Sequence, residues 1–331
     1  MIPQGKGVFL WQVKQVAGGD GNAITGLAKA ARLTHVLIKV ADGKYSYNIT
    51  NGVDMVPGLV ASLRSHGIQA WGWQYIYGRD PIAEAKKGIE RVKQFALDGF
   101  VVNAEKEFKA DGMDKVAKKY MEELRKGLPN FSIGLSSYRY PVVHYQFPFA
   151  AFLDYCDFSM PQVYWINSVN PAQQLKRSVG EFQAIKPNQP IVPTGSAFTY
   201  ATWTATPQQL IDFLDTARKL NLPGANFWEL ATAQDNDGSL WKTIRDYMWD
   251  SSLPPPNKED DVQLPVVTLA KPNLNIRSGP GTQNVIVGKY PYKSSVIIVN
   301  IVRENGDLWG KTDLGWIALR YKGDALTDIC K

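Results

Sequence analysis

Short apolar runs alternate with amphipathic stretches about eight times over the first 250 residues, and this alternation restricts the chain to very few folds. The runs are Gly7–Gln12, His35–Val40, Gln69–Tyr77, Phe100–Asn103, Ser132–Ser136, Phe158–Tyr164, Ile191–Thr194 and Ala225–Trp228. Each is brief and apolar, the pattern of a strand covered on both faces. Between them, stretches such as PIAEAKKGIERVKQFAL and MDKVAKKYMEELRKGL repeat apolar residues at helical spacing and predict helices. Asp80-Pro81, Asn170-Pro171 and Thr206-Pro207 each set a capping side chain before a proline, as at a helix start. Gly67 and Gly127 mark expected helix ends. Eight strand-then-helix units predict an α/β fold, the (β/α)8 TIM barrel. A doubly wound open sheet competes, but it needs a glycine-rich loop directly after the first strand. Gly18-Gly19-Asp20-Gly21 comes too late and at the wrong spacing. The fifth unit is the weakest: Pro141–Tyr155 is rich in proline and aromatic residues, so its helix is expected to be short.

After residue 250 the pattern changes. Ser251–Leu264, SSLPPPNKEDDVQL, reads as an extended linker, stiffened by its prolines and solvated by its charges. Val266–Tyr321 follows as short strands with turn signals at Pro280-Gly281 and Asn305-Gly306, which predicts a small all-β barrel. The expected organisation is therefore a barrel domain over 1–250, a linker over 251–264 and a small β domain over 265–331.

The net charge of +6 favours an anionic partner. The basic residues nevertheless interleave with acidic ones along helix faces, so nucleic acid is not expected. Ten tryptophans suggest surfaces that stack on flat ligands, of which sugars are the usual case. Cys156 and Cys330 stand far apart and imply no disulfide framework. His35, His66 and His144 are scattered without a ligand spacing, so neither a metal nor another cofactor is expected. No long apolar run predicts a membrane span and no leader peptide is evident; a monomer is expected.

In barrels of this kind chemistry sits at the carboxyl ends of the strands. The fourth strand, within DGFVVNAEKE, delivers Asn103 and Glu105, two apart and hence on one side. A carboxyl beside a neutral amide suits proton transfer; the bland alternative is that Glu105 and Glu107 are solvated charges. The sixth strand offers Gln162 and Tyr164, the eighth Trp228 and Glu229, the third Gln74 and Tyr75, the second Lys39 and Asp42, the first Trp11 and Gln12. Polar groups interleaved with rings suit a pyranose, whose faces stack while its hydroxyls need oriented partners. Trp228, Gln162, Glu229, Tyr75, Gln74, Trp11 and Asp42 are thus the expected substrate contacts.

Several of these segments resemble known families. DGFVVNAE overlays the DGxDxDxE signature of the family 18 glycoside hydrolases, PQVYW resembles their sixth-strand QMY segment, and GANFWEL their eighth-strand segment. The resemblance implies that Glu105 is the proton donor, that Tyr164 hydrogen-bonds the N-acetyl group and that Trp228 lies beneath the sugar. Val101 and Asn103 depart from that signature, each standing in place of an aspartate. An Asn-x-Glu pair is similar to that of the family 85 endo-β-N-acetylglucosaminidases. GVFLWQV and THVLIKVADG look like the opening strands of family 25 lysozymes, with Phe9 and Leu10 where those have an aspartate. Further on, LNIRSGPG with LWGK and GWI resembles the bacterial SH3 domain, which implies binding to peptidoglycan. Together these resemblances imply a glycosidase, cutting a β-1,4 bond beside an N-acetylated sugar in the bacterial cell wall with the substrate's acetamide as nucleophile. A lysin delivered by phage, an injection-system component or a trimmed secreted enzyme would fit. The alternatives are a chitinase or endo-N-acetylglucosaminidase acting on other glycans, and a non-catalytic wall-binding protein on a degenerate barrel.

Overall fold

The computed structural model describes residues 2–235, 237–249 and 264–329. Eight parallel strands form its first architectural element: β1 (Gly5–Leu10), β2 (His35–Asp42), β3 (Gln69–Ile76), β4 (Gly99–Ala104), β5 (Ile133–Tyr138), β6 (Phe158–Val163), β7 (Thr194–Ser196) and β8 (Gly224–Trp228). Each pairs with its neighbours in sequence, and β1 pairs with both β2 and β8, which closes the sheet into a barrel. The open-sheet alternative is excluded by that closure.

Helices follow the strands: α1 (Gly21–Ala30), α2 (Val56–Ser65), α3 (Pro81–Phe95), α4 (Met113–Gly127), α5 (Phe149–Leu153), α6 (Pro171–Ile185), α7 (Pro207–Lys219) and α8 (Ser239–Asp246). Local chemistry sets their starts. Asp80 accepts the Ala83 amide ahead of α3, and Thr206 exchanges a capping box with Gln209 at α7. The buried stripe Ala117, Tyr120, Met121 and Leu124 turns α4 onto the barrel. Gly67 follows α2 in the left-handed region at φ +72°. Gly127 does not play that part: it is the last residue of α4, and a Cβ there would stand 2.4 Å from Ile89 Cδ1. Its missing side chain lets α3 and α4 approach each other. The fifth helix is five residues long, as the proline-rich sequence around it implies.

Alternate residues of each strand point inward. Phe9, Leu37, Trp71, Trp73, Val101, Phe158, Met160 and Val192 fill the barrel, with Trp228 and Tyr75 packed at its margin. Glycines make room for the largest of these groups; a Cβ on Gly134 would fall 2.3 Å from the Phe158 ring.

Among the described residues, two compact units separate: residues 2–139 with 146–171 and 190–249, and residues 140–145 with 172–189 and 264–329. The second contains antiparallel sheets from Leu264 onward. Strand alternation in Asn273–Arg277 buries Leu274 and Ile276, which join Val266, Val296, Ile298, Leu308, Ile317 and Leu319 in one apolar core. Asn305 and Gly306, both at positive φ, turn Asn300–Glu304 back onto Asp307–Lys311. Within this unit the Arg320 guanidinium lies 3.3 Å over the Tyr145 ring and donates to the Val142 carbonyl. Residues 251–263 of the expected linker and Cys330 lie outside the described residues. No helix among those described is long and apolar enough to cross a membrane.

Candidate active site

The site is built where β4 ends. Val101, Asn103 and Glu105 alternate along the inward side of that strand, so the apolar filling gives way to polar groups at its carboxyl end. Val101 is fully buried in the barrel core, and Asn103 is 5% exposed above it. Glu105, the residue after Ala104, leaves the strand at φ −137°, ψ −132° and is half-buried.

Two amides hold the Glu105 carboxylate. Asn103 Nδ2 donates to Glu105 Oε1 at 3.2 Å, and Gln162 Nε2, arriving from β6, donates to the same oxygen at 3.0 Å. Gln162 Nε2 also reaches Asn103 Oδ1 at 2.8 Å and Ser136 Oγ at 3.4 Å. The three side chains therefore fix one another's orientation, and both bonds to Glu105 fall on Oε1.

Tyr164 lies just past the end of β6, its ring edge-on to Phe198 at 5.4 Å. Burial, and then the charges of Glu105 and Glu229, push its hydroxyl well above the usual tyrosine range, so it remains a donor at neutral pH. Tyr138, at the end of β5, is held up to about 12 by burial followed by the charges of Glu105 and Glu107. Across the mouth, Tyr75 OH donates to Glu107 Oε2 at 2.7 Å, and burial with this bond raises the Tyr75 hydroxyl strongly.

An aromatic floor runs along the β1, β3 and β8 side. Trp228 packs against Phe9 and Trp73 at 5.5 Å each and against Trp11 at 6.2 Å. Trp11 is 40% exposed and Trp228 partly buried, beside the buried rings of Phe9 and Trp73.

Two of the expected contacts are placed elsewhere. Gln74 is fully buried and faces the helices: its Nε2 donates to the carbonyls of Gly43 and Glu84, and its Oε1 accepts from Tyr120. Since Trp73 and Tyr75 point inward, strand alternation turns Gln74 outward, and it cannot bind substrate. Glu229 is 1% exposed and accepts the Trp11 amide at 3.2 Å, along with the amides of Ala231 and Thr232. Burial raises its carboxyl against the pull of those amides. Glu229 thus ties the end of β8 to the end of β1, its carboxylate engaged by backbone amides beside the two indoles. Asp42 stands at the mouth with its charge engaged, 2.9 Å from Lys39 Nζ and 3.3 Å from Tyr77 OH.

Tyr138 and Trp73 were not among the expected residues. Counting by twos from Ser136 reaches Tyr138, and counting by twos from Trp71 reaches Trp73, so period-two reading of the strands could have found both.

No protein-family profile matches the chain, and no curated protein matches it. Solved structures do. A family 18 chitinase from Cycas revoluta, solved with allosamidin, has a TM-score of 0.54 at 11% identity, covering 73% of this chain and 98% of that one. A class V chitinase from Pseudomonas fluorescens scores 0.55 at 9% identity, covering 73% and 98%. An endo-β-1,4-mannanase from Thermotoga petrophila scores 0.55 at 11% identity, covering 99% and 98%. What this chain shares with them is the fold, the (β/α)8 barrel.

Proposed function

We propose that the protein is a retaining glycosidase that cleaves a β-1,4 bond beside an N-acetylated sugar of bacterial peptidoglycan. The observation that carries this reading is the pair of amides, Asn103 and Gln162, on a single oxygen of Glu105 at the carboxyl end of the barrel. With Oε1 so held, Oε2 is the oxygen available to a leaving group. The ordinary two-carboxylate route needs a nucleophile about 5 Å from the acid. Asn103 occupies the adjacent inward position and, as an amide, cannot serve. The substrate's acetamide oxygen attacks the anomeric carbon instead, as Glu105 gives its proton to the departing glycosidic oxygen. Asn103 and the Tyr164 hydroxyl orient the acetamide, and Asn103 stabilises the oxazolinium ion that forms with the acetamide N–H retained. Glu105, now a carboxylate, takes a proton from water as the water oxygen bonds to the anomeric carbon and the oxazolinium C–O bond breaks, which restores the neutral acetamide and retains the configuration.

Peptidoglycan is favoured by the basic net charge and by the C-terminal β region, which we read as an SH3-like wall-binding domain over 265–331 joined by a linker over 251–264. The floor of Trp228 and Trp11 suits the apolar face of a sugar. A second reading, a wall-binding protein without turnover, is favoured by one observation: Val101 and Asn103 leave Glu105 as the single carboxylate on the inward side of β4. Incubation of the full chain with purified cell walls separates the two. New reducing ends support the glycosidase; retention on walls with no release supports the binder.

A further inference from the structure

Lys39 lies within β2, two residues after the core residue Leu37, and its surroundings are unusual for a lysine. It is 6% exposed, with Nζ 4.1 Å from the centre of the Tyr47 ring and 5.1 Å from that of Trp73. Trp73 in turn meets Trp228 edge-on at 5.5 Å, so the ammonium stands one indole away from the proposed sugar floor. Among the described residues its carboxylate partner is Asp42, 2.9 Å away. Asp42 is the more exposed of the two, its side chain 32% accessible against 8% for Lys39, and Tyr77 OH shares its charge at 3.3 Å from each oxygen.

An ammonium carries three donors, whereas ring faces hold a cation without accepting a conventional hydrogen bond. One donor is committed to Asp42, which leaves two for a ligand. A buried cation is costly unless negative charge compensates it.

We propose that Lys39 is a specificity residue: its inward N–H groups bind a carboxylate carried by the sugar that lies over Trp228. This rests on the glycosidase reading and narrows it. The sugar whose anomeric carbon reacts is then an acidic N-acetylated sugar, of the kind that bears a lactyl ether in peptidoglycan, and the new reducing end falls on that residue.

The test uses the full chain carrying Glu105→Gln, which keeps the glycan intact. It is titrated calorimetrically with a tetrasaccharide alternating N-acetylglucosamine and N-acetylmuramic acid, and with the same tetrasaccharide as its methyl esters. The acid is expected to bind at least about tenfold more tightly than the ester, the difference a charge-assisted hydrogen bond gives. Lys39→Arg should keep most of that preference and Lys39→Met should erase it. Equal binding of acid and ester by the Lys39-containing chain overturns the proposal whatever the variants' folding, and so does a preference that survives in a folded Lys39→Met. Both results leave the glycosidase reading standing, whereas failure to bind either tetrasaccharide overturns both.

Discussion

Gln162 Nε2 donates to Glu105 Oε1 at 3.0 Å, joining the ends of two barrel strands through residues 57 positions apart in the chain. Glu105 leaves β4 in an irregular conformation, so without this bond only Asn103 would orient the carboxylate. Replacing Gln162 by Leu removes the donor while keeping the volume. On the proposed mechanism kcat on a wall substrate falls by about 100-fold, with KM within about threefold, because the loss is felt mainly in the transition state. Steady-state kinetics of the folded variant measure both.

Trp11 contributes differently. It is 40% exposed, and its backbone amide, not its ring, bonds Glu229. Trp11→Ala should weaken saccharide binding by up to about tenfold, the worth of one aromatic contact, and shift stability by less than about 1 kcal/mol. Calorimetric titration and a urea melt check the two halves.

The barrel interior should make stability depend on acid. His35 is fully buried, its Nε2 2.6 Å from Asn226 Oδ1, and burial pushes it down to about 4. The unfolded chain binds that proton near pH 6.5, the folded chain only near 4. The stabilisation is therefore complete above pH 6.5 and is lost as pH falls from 6.5 toward 4, by about 3 kcal/mol in all. Urea midpoints across this window should drop accordingly. The His35 ring signals in NMR should not titrate above about pH 5, and a midpoint near 6.5 would refute the assignment.

Gly7 sits against the same histidine. A Cβ at Gly7 would lie 2.0 Å from His35 Nε2 and 2.5 Å from Asn226 Oδ1. Gly7→Ala should cost about 1–3 kcal/mol, since the ring must shift within a closed barrel. The urea midpoint of the variant is the measurement.

The barrel was legible because its signal is repeated: eight apolar runs at strand length, with Asp80-Pro81 and Thr206-Pro207 marking helix starts that the structure uses as caps. The pairing of Asn103 with Glu105 could be read from their two-residue spacing alone. Gln74 shows where the reading failed, because adjacent strand residues such as Gln74 and Tyr75 cannot both enter a site and the inward series Trp71, Trp73, Tyr75 decides between them. Glu229 failed for another reason. Its three backbone amides come from Trp11, Ala231 and Thr232, and the long-range bond from Trp11 exists only once the barrel has closed. The role of Gly127 was likewise hidden, since a glycine at a helix end reads as a cap whether it is needed for φ or for the approach of Ile89.

The most direct test of the central claim is the rate at which Glu105→Gln releases reducing ends from purified cell walls. The substitution keeps the size and the hydrogen-bond reach of the side chain but cannot deliver a proton. The account predicts a fall of at least about 1000-fold with an unchanged melting transition and undiminished wall binding. Turnover close to that of the unsubstituted protein would contradict it.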